Sequence, residues 1–546
     1  MARPIAHALC VLLACAFAAG SAHAATAAQP AGTAGGESIY LKGTLRSGQP
    51  LEAARADASP LSGEAAACVN CHRRSGLGSK EARNIVPPVT GNFLFHTKGA
   101  QGPAVDLPYV PSARPDREAY TEETLARAIR EGIDSQGRTL DYLMPRFALG
   151  DADMRDLVAY LKTLDRPETG VTPTEIHFAT IITPDADRVK RAGMLDVLNR
   201  FFVDRNAAQP GPITHMMTSG KTAYSKTMFK VNRHWVLHVW EPTGAPATWT
   251  EQLRKLYRAQ PVFAVVSGLG GSDWTPVHAF CEGERVPCLF PNVELPPATA
   301  DNDFHSLYFS RGVLLEADLL AGAIGSGESK RIRQVFRSGD VGAPAAAALA
   351  EALRAHGIRS EQRAIPAAAS AAEINKAVVG ADATEPVVLW LRPKDLAALG
   401  APPAGPVYVS GLMGGLERAP LPAAWRGQSH LAYPVDLPEE RRVRIDYALG
   451  WFNIRKIPVV AQEVQADTYL VCGLASETIK HMIDALFPDY MIERLEDTLE
   501  HRVLTGYYPR LALGSHQRFA SKGGYIVRFD AQNPRRVRAE GEWTSP

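Results

Sequence analysis

Cys68, Cys71 and His72 stand in the run Cys68-Val69-Asn70-Cys71-His72. Two cysteines one helical turn apart point the same way, so both thiols can add to the vinyl groups along one porphyrin edge. The histidine that follows then reaches the iron through a ring nitrogen. A Cys-x-x-Cys pair alone also fits a zinc knuckle or a thiol–disulfide redox site. The added histidine moves the reading to one covalently attached haem c, and no second Cys or His pair stands nearby at a zinc-site interval.

An iron gripped by one imidazole takes a sixth ligand or stays open for chemistry. Met144, in Tyr142-Leu143-Met144-Pro145-Arg146-Phe147, is the best-placed candidate. It lies in a loop, Pro145 restricts the backbone beside it, and a thioether favours reduced iron and so raises the potential. Two alternatives stay open. His96 would give a bis-His site, and Met154 lies on an apolar helix face where a methionine ordinarily packs.

The remaining cysteines divide by place. Cys10 and Cys15 lie in the first residues, where Arg3, the apolar run Leu9 to Phe17 and Ala22-His23-Ala24 read in order as a secretory signal, residues 1–24, cleaved after Ala24. Lipid attachment at Cys15 is the competing reading. Export places the protein in the periplasm, where haem is attached to thiols. In that oxidising compartment Cys281 and Cys288 either close a small disulfide loop or remain two buried thiols, and Cys472 is a small core residue.

At 546 residues the chain predicts two or three domains. Loss of the signal takes the formal charge from +1 to about zero, which argues against a nucleic-acid partner. No later stretch is long and apolar enough to span a bilayer. An Ala/Gly/Pro-rich leader, 25–36, reads as disordered. In the haem region, residues 37–166, helices are expected from Thr121 to Arg130, ended by Gly132, and from Asp151 to Leu164, with Met154, Leu157, Val158 and Leu161 on one face.

Residues 167–174 read as a linker by their Pro, Gly and charge. From 175 to 535 strands alternate with helices, among them strands 176–182, 236–240, 261–266, 333–336, 386–391 and 407–410. Alternation of this kind implies parallel sheets covered on both faces, and the number of strands implies two doubly wound lobes. Residues 536–546 read as a C-terminal tail. Ligands of such folds sit at the carboxyl ends of strands, beside helix N-termini. Ser267-Gly268-Leu269-Gly270-Gly271-Ser272 follows a strand and precedes a helix near Thr275, so its amides either hold a carboxylate or form a plain tight turn. Its Gly268-x-Gly270 lacks the full dinucleotide spacing. His234 and His238 share a strand face without the glutamate that zinc-protease chemistry needs, which points to packing or surface roles.

The stretch from Ile39 to Leu164 resembles a class I cytochrome c domain of the kind that accompanies periplasmic dehydrogenases. The resemblance rests on Gly63 to Cys68 leading into Cys71-His72, Gly76 and Gly78, Val86-Pro87-Pro88-Val89-Thr90-Gly91, and Met144-Pro145 before Asp156 to Leu161. It implies a small all-α fold with one haem, His72 and Met144 axial, and electron transfer without bond chemistry. Arg73-Arg74 departs from the pattern and either docks an acidic partner or lies solvated. The second region resembles a type I periplasmic binding protein of the branched-chain amino acid and amide kind, through Phe263 to Gly268, Val286 to Pro291, Tyr308 to Gly312 and the helix Tyr469 to Leu486. That resemblance implies a small ligand between two lobes, with Ser267, Gly268 and Ser310 facing the cleft. Thr183-Pro184-Asp185-Ala186-Asp187 replaces the small Ser-Gly turn usual after the first strand.

The expectation is a multidomain periplasmic electron carrier, not an enzyme. It takes electrons from a periplasmic dehydrogenase and carries a solute-binding module for a small molecule. The alternatives are an uptake or sensing protein of an ABC-type system with an accessory haem, and an enzyme with open iron acting on peroxide.

Overall fold

The structure, a computed structural model, describes residues 32–81, 84–96, 117–164, 169–207, 233–300, 303–379, 385–482, 485–501, 506–514, 516–530, 532–533 and 536–546. The expected signal, Cys15 and most of the expected leader lie outside these residues. Chain contacts divide the molecule into two compact units, one drawn from Met1–Cys68 and Glu122–Leu161, the other from Val69–Thr121 and Lys162–Pro546.

The first unit holds helices α1 (Thr33–Lys42), α4 (Glu122–Glu131) and α5 (Asp151–Leu161), with a small antiparallel sheet of β1 (Glu52–Ala54), β2 (Pro60–Ser62) and β5 (Arg146–Phe147). α4 buries Leu125, Ala128 and Ile129, and α5 buries Met154, Leu157, Val158 and Leu161, the spacing of one helical face. The expectation of a disordered leader fails at its end, since residues 33–36 already belong to α1. The glycines that suggested disorder serve close packing instead. A Cβ on Gly36 would lie 2.0 Å from the Asp156 carbonyl oxygen, so only glycine lets α1 approach α5 this closely. Tyr40 and Tyr160 complete the contact, ring centroids 5.4 Å apart.

The second unit opens with α2 (Val69–His72), the hairpin β3 (Ser79–Glu81) and β4 (Asn84–Val86), and α3 (Gly91–Phe95). Two larger sheets follow. The first is wholly parallel, in the order β10-β9-β8-β6-β7, from β6 (Glu175–Ile181), β7 (His234–Trp240), β8 (Ala264–Val266), β9 (Cys288–Leu289) and β10 (Ser306–Leu307). The second runs β12-β11-β13-β14-β15-β16-β17. It is parallel through β11 (Arg331–Arg337), β12 (Arg359–Ile365), β13 (Val387–Trp390), β14 (Val407–Ser410) and β15 (Ser429–Tyr433). Each sheet places its second strand outside its first and then steps outward through the third to the fifth, a doubly wound order with a switch point beside the first strand. β13 is buried along its whole length, as a parallel strand covered on both faces must be. α6 (Arg188–Ala207), α7 (Trp249–Ala259) and α8 (Thr275–Glu284) accompany the first sheet, and α9 (Val313–Gly325), α10 (Gly342–Ala355) and α11 (Ala371–Val378) the second. Ser370 and Glu373 form a reciprocal cap at the start of α11. Three further helices follow: α12 (Pro438–Arg455), α13 (Gln462–Met482) and α14 (Pro488–His501).

Residues 536–546 are not a free tail. β17 (Val537–Ala539) pairs antiparallel with β16 (Tyr525–Phe529), which itself pairs with β15. The short alternating run around Val537 is too brief to stand out in sequence, and sheet pairing makes it a strand. Among the described residues no helix is long and apolar enough to cross a membrane.

Candidate functional site

The haem segment is held by close backbone approach. Gly78 is left-handed (φ +74°), and a Cβ there would fall 2.0 Å from the Val86 carbonyl oxygen. That approach brings Pro87 alongside, with its carbonyl oxygen 2.9 Å from Nδ1 of the buried His72. Nδ1–H therefore donates to Pro87 and Nε2 is the nitrogen left for a metal. Burial lowers the pKa of His72, only partly countered by the Pro87 bond, and so favours the neutral imidazole that ligates iron. Cys71 is exposed and Cys68 half-buried, at and just before α2. This donor set fits a haem c. Cys71 and His72 belong to the second unit, Cys68 and Met144 to the first.

Met144 sits half-buried in a turn, its amide donating to the Asp141 carbonyl (3.1 Å) and its own carbonyl receiving Arg146. Met154 is 4 % exposed inside α5, and His96 is exposed at the end of α3. Arg73 and Arg74 part company after α2. Arg73 adopts a left-handed turn (φ +63°), whereas Arg74 bonds Asp489 on α14 (3.2 Å) and covers the Phe304 ring (4.8 Å). Beside them, Ser75 gives its amide (2.8 Å) and hydroxyl (2.6 Å) to Glu493, also on α14. Burial pushes Glu493 up to about 8. His305 lies between Asp489 (2.8 Å) and Glu282 (3.5 Å). Burial would raise both acids, but bonds and charge from His305 outweigh it and bring each down to about 2. Arg73-Arg74 alone carried a sequence signal here, and Arg74 finds an acidic partner within the chain; the other members lie on separate segments and carry none.

The second site is the cleft beside the switch point, with about 700 Å³ of empty volume counting its open mouth. Ser310 lines it, together with Lys190, Glu294, Phe309, Glu463, Asp467 and Tyr508. Ser267 and Gly268 stand behind that lining. The Ser267 hydroxyl receives Asn292 Nδ2 (3.1 Å) and lies 3.3 Å from Thr468 Oγ1. Five amides of the turn they begin are spent within the chain. Those of Ser267, Leu269 and Gly270 donate to Leu289, Ile181 and Asn292 carbonyls. Gly271 donates to Thr183 Oγ1 (3.0 Å) and Ser272 to Asp185 Oδ2 (2.7 Å). The run Thr183-Pro184-Asp185 thus supplies an internal carboxylate where a ligand's would go. Sequence reading missed Lys190, Glu294, Glu463, Asp467 and Tyr508, which carry no motif.

Cys281 on α8 and Cys288 on β9 are joined in a disulfide, and Cys472 is buried in α13. His238 Nε2 lies 3.0 Å from His177 Nδ1, and His234 is exposed 3.3 Å from Asn206. Among the described residues no group of three or more His, Cys, Asp or Glu side chains is placed to hold a metal ion.

Residues 63–165 match the family model of cytochrome c. No curated protein matches the chain. Solved structures similar to it include a fatty acid ABC transporter substrate-binding protein from Thermomonospora curvata, at 12 % identity and TM-score 0.47, over 70 % of this chain and 95 % of that one. A substrate-binding periplasmic protein from Ralstonia solanacearum shares 13 % identity at TM-score 0.48, over 67 % of this chain and 100 % of that one. A branched chain amino acid ABC transporter protein from Thermus thermophilus with bound valine shares 11 % at TM-score 0.47, over 69 % and 98 %. The chain carries a cytochrome c domain at residues 63–165 and a large α/β region built mainly on parallel sheets.

Proposed function

We propose that this protein is a periplasmic single-haem c-type cytochrome that takes electrons one at a time from a periplasmic dehydrogenase, and that its α/β region is a solute-binding module. The observation that carries the first part is the His72 ring, oriented by the Pro87 carbonyl with Nε2 left to ligate, immediately after two cysteines spaced for thioether bonds. When bound, the haem supplies one-electron redox chemistry. The chain's own part would be to tether it through Cys68 and Cys71, to hold His72 neutral and in one tautomer for the iron, and to offer the Met144 thioether as a further ligand. No bond-making or bond-breaking chemistry is assigned. The module reading rests on a cleft at the switch point of a doubly wound sheet, where such folds take ligands.

The test is optical. The purified protein is expected to be red, to keep its haem through acid–acetone extraction, and to be reduced by a periplasmic dehydrogenase turning over its substrate. A colourless protein, or haem that extracts, would overturn the first half of the reading.

A further inference from the structure

The cleft also points to a class of solute, an inference that rests on reading it as a solute site. Its charges do not balance. Lys190 Nζ bonds Glu294 (3.1 Å), while Arg392 bonds Glu294 (2.6 Å) and Asp340 (2.6 Å), so two cations answer two carboxylates. Glu463 and Asp467, one turn apart on α13, both line the cavity and form no ion pair among the described residues, although the charges of Lys190 and Arg441 act on Glu463 and that of Arg441 on Asp467. Asp467 is only 3 % exposed, and its Oδ1 has no hydrogen-bond partner among the described residues. A carboxylate in such a place is costly unless a counter-charge arrives. Burial accordingly raises the pKa of both acids, and in Asp467 the nearby Glu463 raises it further.

An anionic group finds nothing comparable. The turn Ser267–Ser272 has spent the five amides named above, and Asp185 adds a negative charge there. The only cation lining the cleft among the described residues, Lys190, is already paired. Aromatic side chains complete the wall. Phe309 stacks on Tyr508 with centroids 5.0 Å apart, and Tyr308 adjoins them. Aromatic faces attract organic cations, whereas a metal ion would want more ligands than two carboxylates.

We propose that the cleft binds a small organic cation lacking a carboxylate, an amine or quaternary ammonium, with Glu463 and Asp467 as its counter-charges and Phe309 and Tyr508 as its apolar wall.

The test uses the full haem-loaded protein in calorimetric titration and thermal shift. The probes are butylamine, 1,4-diaminobutane and tetramethylammonium, set against butyrate, butyramide and leucine. At least one of the three cations is expected to bind and raise the unfolding temperature, with butyrate and butyramide silent. Asp467→Asn and Glu463→Gln should each weaken that binding tenfold or more, with an unchanged haem spectrum and no loss of thermal stability. Should Asp467→Asn fail to fold, the probe panel and Glu463→Gln still decide. Binding of butyrate, butyramide or leucine that survives both substitutions would overturn the cation assignment and leave the solute-site reading standing. Silence from all six probes would overturn the assignment and remove its support for a solute site as well.

Discussion

The haem segment takes two thiols and an imidazole from five consecutive residues, whereas the cleft takes its charged groups from positions as distant as Lys190, Glu294 and Asp467. In the first, covalent chemistry demands a fixed local spacing, and the fold adds chiefly the Pro87 carbonyl that turns the ring. In the second, no two lining charges need to be neighbours in sequence, because charge balance is a property of the assembled cavity. A motif thus survives translation into a pattern of letters, and a charge ledger does not.

Four measurements press on that contrast. The largest effect belongs to Cys68→Ala with Cys71→Ala, which should abolish covalent haem completely, read as loss of haem after acid–acetone extraction. Persistence of attached haem would break the comparison at its root. Met144→Ala comes next. The charge-transfer band of ferric His/Met haem should vanish, and the reduction potential should fall by at least about 59 mV, a tenfold shift in a one-electron equilibrium. A band that persists would move the sulfur ligand to Met154, whereas a wild-type protein without the band would return the sixth position to His96 or leave it open.

On the cleft side, Arg392→Met removes the ion pair of Asp340 and leaves Glu294 with Lys190 alone. Losing one partner of a buried pair costs about 3–5 kcal/mol, and partial exposure here reduces the expectation to about 2 kcal/mol, measured by urea unfolding. The haem spectrum should not change, which sharpens the separation of the two sites. The last measurement is in pH. Glu282 and Asp489 sit near 2 when folded, below their unfolded values of about 4, so the stability they add is present above about pH 4.5 and is lost as pH falls towards 2. Glu316, buried beside Ser410, and Glu493 are raised to about 8 by burial. There the folded state holds the extra protons, so stability declines as pH climbs from about 4.5 to about 8. Glu316→Gln with Glu493→Gln should flatten that upper limb, by at most about 1.4 kcal/mol per pH unit for each group. Unfolding midpoints across pH 3–9 check it.

Sequence by itself determined the haem motif, because thioether attachment ties Cys68, Cys71 and His72 to one helical turn. It also determined the alternation of strands and helices, since buried parallel strands such as Val387–Trp390 read as unbroken apolar runs. Most helix ends were legible to within a few residues, but α13 begins at Gln462, seven residues before the expected Tyr469. Only the tertiary structure decided that residues 33–36 are helical, because the value of Gly36 lies in what α5 leaves no room for. It alone turned Val537–Ala539 into a strand, by giving it a partner. It alone spent five amides of Ser267–Ser272 on Thr183, Asp185 and neighbouring carbonyls, and left one carboxylate oxygen of Asp467 without a hydrogen bond. Hydrogen bonds and ion pairs join groups by distance in space, and a linear order of residues carries no record of those distances.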